Sequence, residues 1–358
     1  MLDNRGSTLT TPTRPLTAHE DPEAEGPSRA LSGRVAILTT TLATGLSLYA
    51  LYWVIGIIQP QIYRVSFLLL TLVLTFLIFP AHSRWRSRVM WLDWVLVAST
   101  LVALIWPIID FDQFVYRAAT PLAIDLVLGA LTAILVLEAT RRTVGPILPV
   151  TAISFLLYGY YGPSLELIGL ELFAHRGYDI DRLIGTLYMT LEGIFGVPLN
   201  VAATFIVLFT IFGSILTHSG AGQFFINWTM SAFGRSRNGA GPGRTVTLSG
   251  FLLGTVSGSG VATTVTLGAV AWPLLRRAGF TPEVGGGILS ASGIGAILAP
   301  PTMGAAAFLI AEFLQITYLQ VIIMAIVPAV LYYLSIVLMI EADARRLGTR
   351  GVDVDLPS

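Results

Sequence analysis

Polar and apolar residues in this chain are segregated into long blocks rather than alternated. Residues 1–34 are rich in Pro, Thr, Glu and Arg, show no periodicity, and read as a disordered tail. Apolar blocks follow at residues 36–58, 65–80, 92–109, 121–137, 145–161, 199–217 and 318–340, with charges confined to the gaps. A helix needs about 20 apolar residues to cross a hydrocarbon core of ~30 Å. Residues 162–198 are polar, residues 224–233 form an amphipathic piece too short to cross, and the chain turns polar again from Glu341. The pattern predicts an all-α integral membrane protein, a multi-span helical bundle, because lipid offers no partner to unpaired backbone groups. The first apolar block follows a long polar stretch and is itself a full span, which argues against a cleaved signal peptide.

Two further apolar segments are interrupted. Residues 244–275 contain Thr255-Val-Ser-Gly-Ser-Gly-Val261, and residues 283–313 contain Leu298-Ala-Pro-Pro-Thr-Met-Gly304. Arginine placement says how each runs. The 21 basic residues are all arginine, and with a cytoplasmic N-terminus only Arg64, Arg117, Arg176 and Arg182 fall outside. Arg5, Arg14, Arg29, Arg34, Arg84, Arg86, Arg88, Arg141, Arg142, Arg235 and Arg237 fall inside, as do Arg345, Arg346 and Arg350. Arg244 opens the first interrupted segment and Arg276 and Arg277 close it, so both ends belong inside. That segment is expected to be a re-entrant helical hairpin with its tip at residues 257–260. Its first arm, residues 244–256, would reach ~20 Å, past mid-membrane but not across. The second is expected to be a full span broken at Pro300-Pro301.

Composition agrees with a membrane protein over two soluble domains: 54% of residues are hydrophobic, 12% are charged, and mean hydropathy is +0.76. A net charge of zero gives no basic signal for nucleic acid, and the absence of cysteine excludes disulfides and thiol chemistry. His19, His82, His175 and His218 lack metal-ligand spacing.

The breaks carry the candidate chemistry. Ser-Gly-Ser-Gly turns the backbone sharply at low steric cost and exposes polar groups, tolerable at membrane depth only inside protein or beside a water-filled cavity. Carbonyls of residues 254–257 end the first arm and suit a small cation such as Na+. N–H groups of residues 260–264 begin the second arm and suit an anion. Pro300-Pro301 removes two donors, and is expected to free carbonyls near residues 296–299 and start a new half-helix over residues 302–305. Paired discontinuous helices near the midplane are a signature of secondary transporters. Gly285, Gly286, Gly287, Gly293 and Gly295 are expected to let the preceding helix pack closely on a neighbour. Asp125 and Glu312, near the outer ends of their spans, are candidate relays but read better as paired or solvated carboxylates. Glu138 with Arg141 and Arg142 marks a helix end, and Trp85, Trp91 and Trp94 read as interfacial anchors.

These residues also resemble a known family. Gly254-Thr-Val-Ser-Gly-Ser-Gly-Val-Ala262, Pro273-Leu-Leu-Arg-Arg-Ala-Gly-Phe280 and Ala299-Pro-Pro-Thr-Met-Gly-Ala-Ala-Ala307 resemble the large membrane subunit of tripartite ATP-independent periplasmic (TRAP) transporters. Leu191-Glu-Gly-Ile-Phe-Gly196 and Phe212-Gly-Ser-Ile-Leu216 fit as well, and the four spans before residue 138 stand where the fused type carries its small subunit. The resemblance implies an elevator-type fold in a bacterial inner membrane, with both termini cytoplasmic. It implies uptake of organic anions such as carboxylates, coupled to a cation, Na+ or alternatively H+, with no other cofactor. The partner implied is a soluble periplasmic receptor of the TAXI type, and the charged stretch 162–198 is either its docking surface or a solvated loop with an amphipathic helix.

The implied organisation is a four-helix small-subunit-like domain over residues 35–143, the first half of the large subunit over residues 144–345, and a cytoplasmic tail over residues 346–358. Cation binding is expected at Ser257, Gly258, Ser259, Ala299, Pro300 and Thr302, and substrate binding at Gly260, Val261, Thr263, Met303 and Gly304. Fused relatives carry a second, inverted half with its own hairpin, and no second Ser-Gly-Ser-Gly or Pro-Pro break occurs here. The chain is therefore expected to be either a fragment truncated after the first half or one part of a permease whose other half a separate chain supplies. The alternatives are a non-transporting membrane remnant or scaffold, and an intramembrane serine protease using Ser257 or Ser259. The last has no His placed as base and no G-x-S-x-G elbow, so the chain is not expected to be an enzyme.

Overall fold

The structure, a computed structural model, describes residues 28–350 apart from residues 30, 83–84, 86–88, 168, 221–223, 226, 230 and 232–238. The tail up to residue 27, Arg84, Arg86, Arg88, Arg235, Arg237, part of the amphipathic piece 224–233 and the end from residue 351 lie outside the described residues. Among the described residues all regular structure is helical. Among them, six helices are long and apolar enough to cross a membrane.

Four of the six open the chain: α1 (Gly33–Ile55), α2 (Pro60–Ile78), α3 (Trp91–Ile109) and α4 (Ala123–Thr143). Their starts follow from local chemistry. Proline opens α2, where its missing N–H costs nothing. Asp93 and Asp125 sit one turn into α3 and α4 and accept from the Met90 and Leu122 backbone N–H groups at 2.9 and 3.1 Å. α2 is the most enclosed, packing Leu72, Phe76 and Leu77 against Leu104 of α3 and Leu135 of α4.

The shorter α5 (Ile147–Tyr161) and α6 (Ile180–Met189) follow. The stretch expected to be a polar outer loop is in part structural: Tyr188, Met189 and Phe195 are buried in the core that α2, α3 and α4 share, and the Tyr188 hydroxyl donates to the Ala103 carbonyl. Arg29, expected in the tail, is likewise buried. It pairs with Asp93 at 2.6 Å while Arg142 pairs with the other oxygen of Asp93 at 2.7 Å.

α7 (Val197–Leu216) links the two halves and contains a π-helical segment, Ala202–Ile206. Beyond it lie α8 (Gly241–Ser257), α9 (Gly260–Arg277), α10 (Pro282–Ile294), α11 (Ala305–Leu314) and α12 (Tyr318–Leu347). α8, α9 and α10 pack on one another, with Val246, Leu267, Leu275 and Ile288 meeting Ile336 and Ile340 of α12. α12 continues seven residues beyond the expected end at residue 340, through Glu341 to Leu347.

The hairpin geometry is explicit. Arg244, early in α8, pairs with Glu341 near the end of α12. The Arg350 N–H donates to the carbonyl of Ala278, just after α9. The start of α8 and the end of α9 therefore share one end of α12. α8 has 17 residues and α12 has 30, so at 1.5 Å per residue they extend ~26 and ~45 Å. The tip stops well short of α12's far end.

Candidate functional site

The turn between α8 and α9 is two residues long. Gly258 caps α8 in the left-handed region (φ 62°), where a side chain is strained and a Cβ would also overlap the Thr302 carbonyl. Ser259 then caps α9, its hydroxyl accepting from the Ala262 N–H at 3.3 Å. The Ser257 hydroxyl lies 2.5 Å from that of Thr263 and also donates to the Ser259 carbonyl.

The second break is wider than Pro300-Pro301 alone. α10 ends at Ile294, a 3-10 turn covers Gly295–Ile297, and α11 starts only at Ala305. Its ends are tied by Gly304 N–H donating to the Ile297 carbonyl at 2.9 Å. The peptide bond between Pro300 and Pro301 is cis. Tyr318 clamps the loop from α12: its hydroxyl donates to the Pro301 carbonyl at 2.7 Å and accepts from the Met303 N–H at 3.2 Å.

The two breaks meet through one side chain. The Thr302 hydroxyl lies 2.8 Å from the Thr255 carbonyl and 3.2 Å from that of Gly254, 48 positions earlier. Small residues permit this approach. A Cβ on Gly254 would come within 2.7 Å of the Ala296 backbone, and one on Gly250 within 2.8 Å of Ser292.

Two cavities open at the junction. One, about 450 Å3, is lined by Ser257, Gly258, Ser259, Thr302, Met303 and Gly304, and across from them by residues of α7. The other, about 600 Å3, is lined by Gly258–Val261, Gly304 and residues of α9 and α10. Eight of the eleven expected residues therefore line the junction cavities: Ser257, Gly258, Ser259, Gly260, Val261, Thr302, Met303 and Gly304. Three do not. Thr263 is buried inside the hairpin, bonded to Ser257. Ala299 is fully enclosed. Pro300 faces a separate apolar cavity between α8 and α12.

Several backbone groups expected to be open to ligands are spent inside the protein. Gly254 and Thr255 carbonyls receive Thr302, Ala296 and Ile297 carbonyls accept from Ala299 and Gly304, and Ala262 and Thr263 N–H groups go to Ser259. A polar group in low dielectric costs free energy unless it is bonded, so the fold satisfies most of the break internally. Of the five glycines singled out, Gly285, Gly293 and Gly295 lie against Trp272, Thr264 and Tyr333, whereas Gly286 and Gly287 face open space.

The sequence reading missed the far wall. Phe209, Thr210, Gly213 and Ser214 of α7 line the smaller cavity, and Phe308 of α11 joins them. Gly213 and Ser214 belong to the 212–216 stretch that carries the resemblance, but nothing local in α7 says which face meets the breaks, since an apolar membrane helix looks alike on every face. The two isolated carboxylates proved paired. Asp125 is fully buried against Arg117 (2.8 Å) and the Trp106 indole N–H (2.9 Å). Glu312 accepts from Asn200, whose side-chain oxygen receives Arg64.

Comparison with known proteins points the same way. The family described as "Tripartite ATP-independent periplasmic transporter, DctM component" matches residues 131–357. The chain is 34% identical over 98 residues to the C4-dicarboxylate TRAP transporter large permease protein DctM of Rhodobacter capsulatus, covering 27% of this chain and 22% of that protein. It is 28% identical over 142 residues to a putative TRAP transporter large permease protein of Haemophilus influenzae, covering 40% of this chain and 32% of that protein. These matches thus span under a third of each relative's length. No solved structure shows a significant match.

Proposed function

This chain belongs to the DctM component family of tripartite ATP-independent periplasmic transporters, and from that premise we propose that it is a permease subunit of a cation-coupled secondary transporter. The family is one of transporters rather than enzymes, which removes the serine-protease alternative. In this reading a soluble periplasmic receptor of the TAXI type delivers an organic anion, such as a carboxylate, to the junction of the two breaks. The protein sits in the bacterial inner membrane with both termini in the cytoplasm. α1 to α4 serve as a fused small subunit; the large-subunit family match leaves out α1 to α3 and begins at residue 131, within α4. Two hairpin units are what the resemblance implies, and the described residues hold one, so the working unit includes a second hairpin contributed in cis or by another chain.

One observation carries the reading: two helix breaks interlock through Thr302 beside a cavity, within a chain of membrane-crossing helices. The hydroxyl oxygens of Ser257, Ser259 and Thr302 form an oxygen-only donor set beside the cavity, the chemistry a hard cation such as Na+ prefers. The α9 and α11 N-termini at Gly260–Val261 and Gly304–Ala305 bound the neighbouring cavity of about 600 Å3, and their dipoles favour an anion.

The test is uptake into liposomes holding the permease chain or chains, with receptor and substrate outside. Uptake is expected to need both the receptor and an imposed Na+ gradient, and Thr302→Val is expected to lower it at least about tenfold, as losing about 1.4 kcal/mol of coupling would. Equal uptake with the Na+ gradient collapsed would move the coupling to H+, and receptor-independent uptake would remove the receptor from the scheme.

A further inference from the structure

We propose that Glu312 is a positioning residue, through which the four-helix domain α1 to α4 fixes the α11 wall of the junction. α11 is a half-helix of ten residues, and a 3-10 turn and a loop separate it from α10. Its residues Ala305 and Phe308 line the cavity of about 450 Å3. Glu312 lies one turn beyond Phe308 on the same helix face. What holds Glu312 therefore sets where that wall stands.

The hold runs back to α2. Asn200, in the first turn of α7, donates from its side-chain amide to Glu312 at 3.3 Å. Its amide oxygen accepts from the Arg64 Nε at 3.1 Å, and Arg64 also donates to the Phe195 carbonyl at 2.9 Å. The neighbouring Tyr63, fully buried, donates to the Ala203 carbonyl at 2.6 Å. α2 is the most enclosed of the membrane-length helices, so it is the fixed end of this series of bonds. The Asn200 amide matches both neighbours: its oxygen meets the cation and its N–H meets the anion, and the reverse orientation would set donor against donor.

α7 is shaped for this contact. Its π-helical turn at Ala202–Ile206 is bonded i to i+5, so Asn200 and Phe205 share a face where a regular α-helix would turn them apart. Phe205 stacks on Phe308 with centroids 5.6 Å apart and 9° between the planes, and Phe209 meets the same ring at 5.0 Å. The seam between α7 and α11 is therefore aromatic beside the cavity and polar at its outer end. Apolar burial favours closing that seam without fixing its register, because it is non-directional. The bond from Asn200 to the Glu312 carboxylate is directional and charge-assisted, and it supplies the register.

The test is a distance measurement on the full chain in lipid nanodiscs. Ile57→Cys, just before α2, and Leu314→Cys, at the end of α11, are both exposed positions in a cysteine-free chain, and spin labels on them report the separation by pulsed electron paramagnetic resonance. Glu312→Ala and Asn200→Leu are each expected to raise the ratio of displaced to parent distance at least about tenfold, as loss of a charge-assisted hydrogen bond would. The double variant is expected to stay within about twofold of the larger single, because both changes delete the same bond. Glu312→Gln keeps a weaker, neutral acceptor and is expected to fall between the parent and Glu312→Ala, so a folded variant remains even where alanine is not tolerated. Distances unmoved in both single variants, or effects that multiply in the double, overturn this inference. The readout needs no substrate, so absence of uptake by the parent overturns the transport reading and leaves the positioning role standing.

Discussion

At Gly293 a methyl group has no room, because a Cβ there would overlap the Thr264 side chain of α9. Gly293→Ala is expected to lower stability by about 1–3 kcal/mol through overpacking. Gly286→Ala, seven residues earlier and facing open space, is expected to be neutral or stabilising by up to about 1 kcal/mol, since Ala is the better helix former. Thermal unfolding of both variants in one detergent separates them. The sequence marks all five glycines equally, and only the neighbouring helix distinguishes them. Asp93 makes the same point for charge. Its carboxylate holds Arg29 and Arg142 together in the interior. Asp93→Ala leaves two buried guanidinium groups facing each other, and a loss of about 3–5 kcal/mol is expected, read from the same melting experiment. Read as a sequence, Arg29 belongs to a polar tail; only its partner 64 positions away shows otherwise.

Among the elements, the hairpin was legible because arginines flank both arms and Gly and Ser cluster at the turn. The broken span was legible from its prolines, but not its width, because the 3-10 turn before Leu298 and the late start of α11 depend on Gly304 reaching back to Ile297. Thr302 joins the two elements. Thr302→Val keeps the shape and deletes the donor, leaving the Thr255 carbonyl without it; a cost of about 1–3 kcal/mol is expected. The loss is local, so deuterium exchange is expected to quicken over residues 254–262 while the α2–α4 core is unchanged. Uniformly faster exchange would mean that Thr302 serves global stability instead. The π-helical segment of α7 had no signature at all: the Tyr63 hydroxyl, donating to the Ala203 carbonyl at 2.6 Å, meets it from a helix 140 positions earlier.

For the whole molecule, the cysteine-free chain makes side-specific labelling straightforward. Arg244→Cys, Arg277→Cys and Arg350→Cys are expected to react with an impermeant thiol reagent from one face, and Gln315→Cys, at the other end of α12, from the opposite face. Reaction of positions 244 and 277 from opposite faces would show that α8 and α9 cross the membrane rather than turn within it. The sequence by itself determined the helical class, most of the spans, the hairpin and the two breaks; the span expected at residues 145–161 is instead the 15-residue α5, shorter than the six membrane-length helices, and α12 runs seven residues longer than expected. It does so because lipid penalises each exposed polar group where it stands, and hydropathy and arginine placement are local records of that penalty. The tertiary structure alone decided which carbonyls and N–H groups are consumed within the junction, which carboxylates are paired, and that α7 and α11 close it with phenylalanine. Those outcomes depend on side chains far apart in sequence meeting in space, and an apolar helix carries no mark of the face it will present.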